Sequence, residues 1–155
     1  MEIERLSHIG ICVCDLERSR RFYQEALGFE GEGELRVSGE PGDTLLSLAG
    51  TELHALYLKR DGTRIELLHF EAPKAAPGAP PRAMNQPGLT HLSFRVRDVG
   101  ACLARALSCG GQPIEGSKVR AGNGDLHAAF LMDPDGTRIE LFRGSGDPDA
   151  PPQAG

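Results

Sequence analysis

The sequence predicts an α+β fold built from two tandem βαβββ modules, whose paired mixed β-sheets surround a central cavity. The segment Asp-Gly-Thr-Arg-Ile-Glu-Leu occurs twice, at residues 61–67 and 135–141 of a 155-residue chain. A second similarity joins residues 6–15 to residues 89–98, and both segments place a histidine in an apolar run. Because an identity of this length is not expected by chance, the chain is interpreted as one unit present twice.

The first copy, about residues 5–70, has the pattern β-α-β-β-β. Its opening strand is rich in apolar and β-branched residues. Asp15 is a good N-cap for the helix that follows, and Gly28 is suited to end it. Asp61-Gly62 favours a hairpin turn, since both residues readily take positive φ values. The predicted strands are 5–13, 32–38, 52–59 and 63–70, with a short helical turn at 44–49.

The second copy, about residues 89–143, repeats this order. Asp98 is the predicted N-cap of helix 99–108, and Pro113 weakens the start of the strand after it. The predicted strands are 89–96, 112–119, 126–132 and 137–143. Segment 71–88 contains five prolines and predicts a semi-extended linker. Residues 144–155 are rich in Gly, Pro and Asp and predict a flexible tail.

Composition excludes several classes of function. The net charge is −5 and no basic stripe is present, which argues against a nucleic-acid partner. No apolar run approaches the ~20 residues that span a bilayer, and the N-terminal residues do not resemble a signal peptide. The four cysteines lack the spacing of a zinc ribbon and predict reduced, mostly buried thiols. We therefore expect a soluble, cytoplasmic protein.

Four residues recur at matching positions of the two copies, namely His8 with His91 and Glu66 with Glu140. One such histidine is more often a core residue, and one such glutamate more often faces solvent beside a partner such as Arg64. A charged glutamate among apolar neighbours is nevertheless rare unless it is paired or binds a metal. All four in register predict a site for a divalent ion such as Ni, Co, Zn, Mn or Fe, with two coordination positions left open.

Other polar residues are weaker candidates. His54 and His127 also fall at matching positions and are possible substrate contacts, although a one-residue slip in strand register would turn either outward. Arg64 and Arg138 are expected to point away from the face that carries the glutamates.

These motifs resemble those of the vicinal oxygen chelate superfamily, which includes glyoxalase I, methylmalonyl-CoA epimerase, extradiol dioxygenases, fosfomycin-resistance enzymes and bleomycin-binding proteins. The resemblance extends from Leu6 to Arg143. It rests on Ser7-His8-Ile9, on Arg64-Ile65-Glu66-Leu67, on Thr90-His91-Leu92, and on the segment that runs from Asp133 through Glu140 to Phe142.

The resemblance implies a metal-dependent enzyme, because the chain keeps all four ligand positions, as glyoxalase I and the epimerases do. Those enzymes move a proton next to a metal-bound carbonyl through an enediolate or enolate, and Glu66 or Glu140 would serve as both ligand and base. We expect a glyoxalase I-like lyase or isomerase that acts on a small molecule, and a homodimer. The alternatives are an acyl-CoA epimerase of the methylmalonyl-CoA type, favoured by the long connection from His69 to His91, and a non-catalytic drug- or metabolite-binding protein.

Overall fold

The computed structural model describes residues 2–76 and 83–149. The chain divides into two compact units, residues 1–78 and 79–155, and each unit is described here by itself. The predicted linker at 71–88 lies partly outside the described residues, as do the last six residues of the predicted tail. The first part of that tail, up to Asp147, is held by Arg95, whose guanidinium donates to the carbonyls of Gly146 and Asp147.

The first unit is one mixed four-stranded sheet with the predicted βαβββ order. Strand order is β1-β4-β3-β2, with β1 parallel to β4 and the other neighbours antiparallel. The elements are β1 (Ile9–Cys12), α1 (Leu16–Arg21) continued by a π-helical turn (Phe22–Ala26), β2 (Glu30–Ser38), α2 (Gly42–Leu46), β3 (Glu52–Arg60) and β4 (Thr63–Ala72).

Helix α1 decides which face of this sheet is covered. Asp15 caps it by accepting a hydrogen bond from the Arg18 amide at 2.9 Å. The helix packs over β4, where Ile65 and Leu67 are buried. Because successive side chains of a strand alternate between the two faces, Glu66 is directed to the face opposite the helix.

The second unit has the same arrangement, with strand order β5-β9-β8-β6 and a short β7 that also pairs with β8. The predicted continuous strand 112–119 is wrong. It is interrupted by a turn in which the Ser117 amide donates to the Ile114 carbonyl and Gly116 has φ +76°. The elements are β5 (Leu92–Arg95), α3 (Val99–Ser108), β6 (Gln112–Pro113), β7 (Val119–Arg120), β8 (Leu126–Met132) and β9 (Arg138–Phe142).

The repeated heptapeptide forms the same strand but different turns. In the first unit Asp61 and Gly62 have φ 47° and 75° and close a two-residue hairpin, as predicted. In the second unit residues 133–137 form a longer turn around Asp133. The Asp133 side chain is fully buried and accepts from the amides of Asp135 and Thr137 at 2.9 and 2.7 Å.

The cysteines are reduced, as predicted, but they are not mostly buried. Cys12 and Cys14 are exposed, and Cys102 and Cys109 are half-buried. Both residues of the first pair lie near the end of β1, where alternate side chains leave the covered face. Within the described ranges, no helix is both long enough and apolar enough to cross a membrane.

Asp43 offers a test of the loop that leads into β3. Its carboxylate accepts from the amides of Thr51 and Gly50 at 2.7 and 2.9 Å, and these bonds lower the pKa of Asp43 below its ordinary value. The ionised form therefore stabilises the folded state above the unfolded pKa, and this stability is lost as the pH falls through the lower, folded value. We expect Asp43→Asn to lower the melting temperature at pH 7 but not in acid. Thermal denaturation of both proteins at pH 7 and in acid measures this. A difference in melting temperature that is equal at the two pH values would contradict it.

Candidate metal centre

A histidine and a glutamate lie together in the first unit. Gly10 of β1 is in register with Glu66 of β4, and His8, two residues earlier, shares the face of Gly10. The His8 Nε2 and Glu66 Oε2 atoms are 3.1 Å apart. Glu66 is only 8% exposed, whereas His8 is half-buried. Gly10 has no side chain on this face. A Cβ there would crowd the face, because it would lie 3.2 Å from the Leu68 side chain.

The second unit repeats the pair. Ser93 of β5 is in register with Glu140 of β9, so His91 reaches the same face. The distance from His91 Nε2 to Glu140 Oε2 is 3.4 Å, and both side chains are about one-quarter exposed. The structure thus brings each predicted histidine to its predicted glutamate within its own unit.

A hydroxyl group holds the other nitrogen of each imidazole ring. Ser7 Oγ lies 3.0 Å from His8 Nδ1, and Thr90 Oγ1 lies 2.9 Å from His91 Nδ1. An aromatic ring supports each imidazole at its edge, Tyr57 for His8 and Phe130 for His91, with centroid distances of 5.6 and 5.4 Å. Both rings are therefore oriented with Nε2 towards the carboxylate.

Each carboxylate also accepts a hydrogen bond from a hydroxyl group, and the strand that carries this hydroxyl is not the equivalent one in the two units. Ser93 Oγ donates to Glu140 Oε2 at 2.5 Å. In the first unit the Tyr57 hydroxyl, in register on β3, donates to Glu66. This hydrogen bond, with burial and the charge of Glu66, raises the pKa of Tyr57 to about 12. Tyr57 therefore remains protonated, and remains a donor, throughout the physiological range.

The donor atoms of each pair suit a divalent cation. Ions such as Zn²⁺ bind imidazole nitrogen and carboxylate oxygen at about 2.0–2.2 Å. Two such ligands at octahedral or tetrahedral angles are about 3.0–3.4 Å apart, which matches the two measured distances. Within the part of the chain that the structure describes, no group of three or more His, Cys, Asp or Glu side chains is assembled. Each unit by itself therefore offers one pair of candidate ligands.

The structure corrects the expectation for Arg64 and Arg138. Residues 64 and 66 of one strand share a face, because side chains alternate with a period of two. Arg64 accordingly lies beside His8 and Tyr57, where its Nη1 donates to the Ser7 carbonyl at 3.5 Å. The Arg138 Nη1 atom contacts Met84 Sδ at 2.9 Å.

His54 and His127 are not brought to the pairs. His54 is three residues from Tyr57 on β3 and points to the face opposite Glu66, where its Nε2 lies 2.8 Å from Glu34 Oε2. His127 is exposed and three residues from Phe130, so it too lies on the other face.

The profile of the Glyoxalase/Bleomycin resistance protein/Dioxygenase superfamily matches residues 5–141. The chain belongs to this superfamily. The family predicted from the motifs is thereby confirmed, together with the tandem α+β fold. The chain is also similar in sequence to the uncharacterized protein YaeR of Escherichia coli. The two are 28% identical over 90% of this chain and 96% of the length of YaeR.

Solved structures of the superfamily have the same fold. A glyoxalase family protein from Bacillus cereus has a TM-score of 0.78 and 22% identity, covering 94% of this chain and 97% of its own. The trypanothione-dependent glyoxalase I of Leishmania major has a TM-score of 0.62 and 25% identity, covering 91% of this chain and 87% of its own.

Sequence reasoning did not predict roles for Ser7, Thr90, Tyr57 or Ser93. The roles of Ser7 and Thr90 could have been predicted from the sequence, since a hydroxyl residue precedes the histidine in both copies. Tyr57 and Ser93 carry none, because their counterparts are Phe130 and Gly10, and each is recognised only from the strand register.

Proposed function

We propose that the chain is a divalent-metal-dependent enzyme of the glyoxalase I type, a lyase or isomerase that moves a proton next to a carbonyl of a small substrate. The single observation that carries this proposal is the twofold recurrence of one arrangement. In both units a histidine held at Nδ1 by the preceding hydroxyl presents Nε2 to a glutamate on the neighbouring parallel strand.

A His–Glu ion pair by itself does not require the same contacts among hydroxyl, histidine and glutamate in both units. When Nδ1 carries the ring proton and donates a hydrogen bond to the hydroxyl oxygen, Nε2 presents a lone pair to a carboxylate oxygen. Two electron-rich atoms at about 3 Å are favourable only with a proton or cation between them. We therefore assign His8, Glu66, His91 and Glu140 as ligands of one ion, such as Ni, Co, Zn, Mn or Fe.

A bound divalent ion supplies Lewis acidity, which acidifies the C–H next to a carbonyl and stabilises the oxyanion that develops there. The residues of the chain supply the proton transfer. Glu66 or Glu140 takes the proton from the substrate carbon and returns it to another position. Tyr57 and Ser93 orient these carboxylates, and both remain hydrogen-bond donors at neutral pH.

Two measurements on purified protein test the proposal. Metal analysis should find about one divalent ion for each set of four ligands. Metal-loaded protein in D2O should isomerise a glutathione–methylglyoxal hemithioacetal to its thioester, and deuterium taken up from the solvent should appear on the carbon next to the thioester carbonyl. Absence of bound metal, also after soaking, contradicts the metal site. Tight binding of small molecules without isomerisation or exchange identifies a sequestering protein instead.

An acyl-CoA epimerase is the second candidate, favoured by the long connection between His69 of β4 and His91. It shares the same four ligands and the same proton transfer. Methylmalonyl-CoA in the D2O assay separates the two activities, since an epimerase exchanges its α-hydrogen and a glyoxalase does not.

We further infer a homodimer located in the cytoplasm. Strand β2 is a nine-residue edge of the first sheet, and nearly all its residues are exposed. Such edges are usually covered, which favours a dimer. The four reduced thiols suit a reducing compartment, which favours the cytoplasm. Light scattering tests the dimer, which a monomeric mass would contradict. A metal-bound crystal structure would show whether the pairs that share an ion belong to one chain or to two.

The hydroxyl residues before each histidine provide a further prediction. Loss of the partner that orients a metal-binding histidine typically lowers affinity about 10–100-fold. We expect Ser7→Ala and Thr90→Val each to weaken binding of the ion by this amount in a metal titration. Thr63→Val, at an exposed position at the start of β4, is the control and should bind as the wild type does. Unchanged affinity in both test variants would show that these hydroxyls do not orient ligands.

A further inference from the structure

Strand β2 pairs with β3 on one side, and its other side is an open edge of the first sheet. Among the residues that the structure describes, no backbone hydrogen bond joins this side to another segment. The second unit has no comparable edge, because β6 has only two residues and ends at Pro113, which lacks an N–H group. An open edge presents N–H and C=O groups that can pair with another strand.

A β-bulge limits the part of this edge that is regular. Glu32 is an extra residue between Gly31 and Gly33 and has no partner on β3. Its carboxylate contacts Arg64 Nε instead. A bulge bends its strand and interrupts the ladder. Residues 33–38 are therefore the part of β2 that another strand can follow without interruption.

The sequence of this regular part is complementary to itself. Residues 33–38 are Gly-Glu-Leu-Arg-Val-Ser. In an antiparallel pair the groups that face the partner come from every second residue. Two copies of β2 related by a twofold axis can therefore pair only with one residue at the centre, opposite its own copy. With Leu35 at the centre, Glu34 of each copy lies opposite Arg36 of the other.

Other registers of the same pair are less favourable. With Glu34 at the centre two carboxylates lie opposite each other, and with Arg36 at the centre two guanidinium groups do. Like charges directly opposite destabilise an antiparallel pair, whereas opposite charges stabilise it. With Val37 at the centre the paired part of the strand is shorter, since β2 ends at Ser38. The register centred on Leu35 is thus selected by charge.

Both charged side chains are placed for such a contact. The Glu34 and Arg36 side chains are 61% and 62% exposed and lie on one face of β2. Within one protomer Glu34 Oε2 is 2.8 Å from His54 Nε2, and Arg36 Nη1 is 3.3 Å from Glu71 Oε1. A contact between Arg36 and Glu34 of two protomers would join these pairs into one continuous row of four side chains.

Apolar side chains lie beside the same edge. Leu35 is 45% exposed, and Val37 shares its face. Helix α2 packs against Val37, since a Cβ at Gly42 would overlap the Val37 side chain. Leu45 of this helix is 83% exposed. In the register centred on Leu35 the two Leu35 side chains lie opposite each other, and both copies of α2 lie on the same side of the joined sheet.

We propose that β2 pairs with β2 of a second copy of this chain, antiparallel and centred on Leu35, so that the two first-unit sheets become continuous. This inference rests on the homodimer proposed above and identifies its surface. Strand β2 is two strands away from β4, which corresponds to about 10 Å. The His8–Glu66 pair is therefore outside the contact, and the contact can be altered without changing a ligand.

Charge reversal and charge exchange test the register. Glu34→Arg and Arg36→Glu each place like charges opposite each other at both symmetry-related contacts. We expect each to raise the dimer dissociation constant about 10-fold or more in sedimentation equilibrium. The double variant Glu34→Arg/Arg36→Glu restores opposite charges and should recover most of the affinity. Glu115→Arg, at an exposed position of the second unit, is the matched control and should dimerise as the wild type does.

The outcomes separate this inference from the other proposals. A monomeric wild type overturns both the β2 contact and the homodimer. A dimer that both single reversals leave unchanged, or that the double variant weakens as much as the single ones do, overturns the β2 contact alone. Equal weakening by Glu115→Arg does so as well. Metal content, measured on the same samples, should not differ among these variants, so the metal centre can fail while the β2 contact is upheld.

Discussion

Glu66→Gln and Glu140→Gln will have different effects if one carboxylate is the base. Glutamine keeps the size and one acceptor oxygen but cannot take a proton. For the base we expect turnover to fall about 10²–10⁴-fold while the ion is retained. For the other glutamate we expect the affinity for the ion to fall. Metal content and the rate of D2O exchange, measured on the same samples, give both quantities.

Glu34→Gln is the matched control for this pair of variants. Glu34 is also a strand glutamate beside a histidine, at 2.8 Å from His54 Nε2, but it lies on the opposite face of the sheet. Its replacement should change neither metal content nor exchange. If both Glu66→Gln and Glu140→Gln remain fully active, the proton-transfer mechanism is wrong.

His8→Ala and His91→Ala will abolish tight metal binding. Loss of an outer hydrogen-bond partner alone typically costs about 10–100-fold, so loss of a ligand should cost more than about 100-fold in affinity. Isothermal titration with Zn²⁺ or Ni²⁺ gives the affinity, and circular dichroism checks that each variant is folded. The effect should be similar for both histidines, since the two pairs have nearly the same geometry.

His69→Ala is the control for the histidine variants. His69 is half-buried on β4, in register with His54, and its Nδ1 is 3.4 Å from the Val13 carbonyl on the other face. We expect unchanged metal affinity. A histidine variant at position 8 or 91 that binds metal as the wild type does would remove that residue from the ligand set.

The element order was predictable because its signals are local. Asp15 and Asp98 cap helices at the predicted places, and helix 99–108 has the predicted bounds. The break in strand 112–119 was not predicted, because Pro113 and Gly116 interrupt a segment whose apolar residues resemble a strand. The two-residue period of side-chain direction along a strand is enough to predict that Arg64 shares the face of Glu66. The expectation that Arg64 points away from this face was therefore wrong on the sequence alone.

Register and side-chain direction depended on contacts between distant strands. The two copies share the letters Asp-Gly-Thr-Arg-Ile-Glu-Leu, yet one closes a two-residue hairpin and the other a longer turn around Asp133. Turn length sets which residue of the preceding strand faces the glutamate. Tyr57 and Phe130 therefore occupy equivalent places although they are nine and ten residues before Glu66 and Glu140.

The sequence by itself determined the duplication, the βαβββ order and the membership of His8, Glu66, His91 and Glu140 in two equivalent pairs. These follow from repeated letters and local periodicity. Only the tertiary structure decided what surrounds each pair. Tyr57 and Ser93 reach the glutamates through strand register, and a bulge in β2 turns Glu32 towards Arg64. Such contacts join residues far apart in the chain, and no local pattern specifies them.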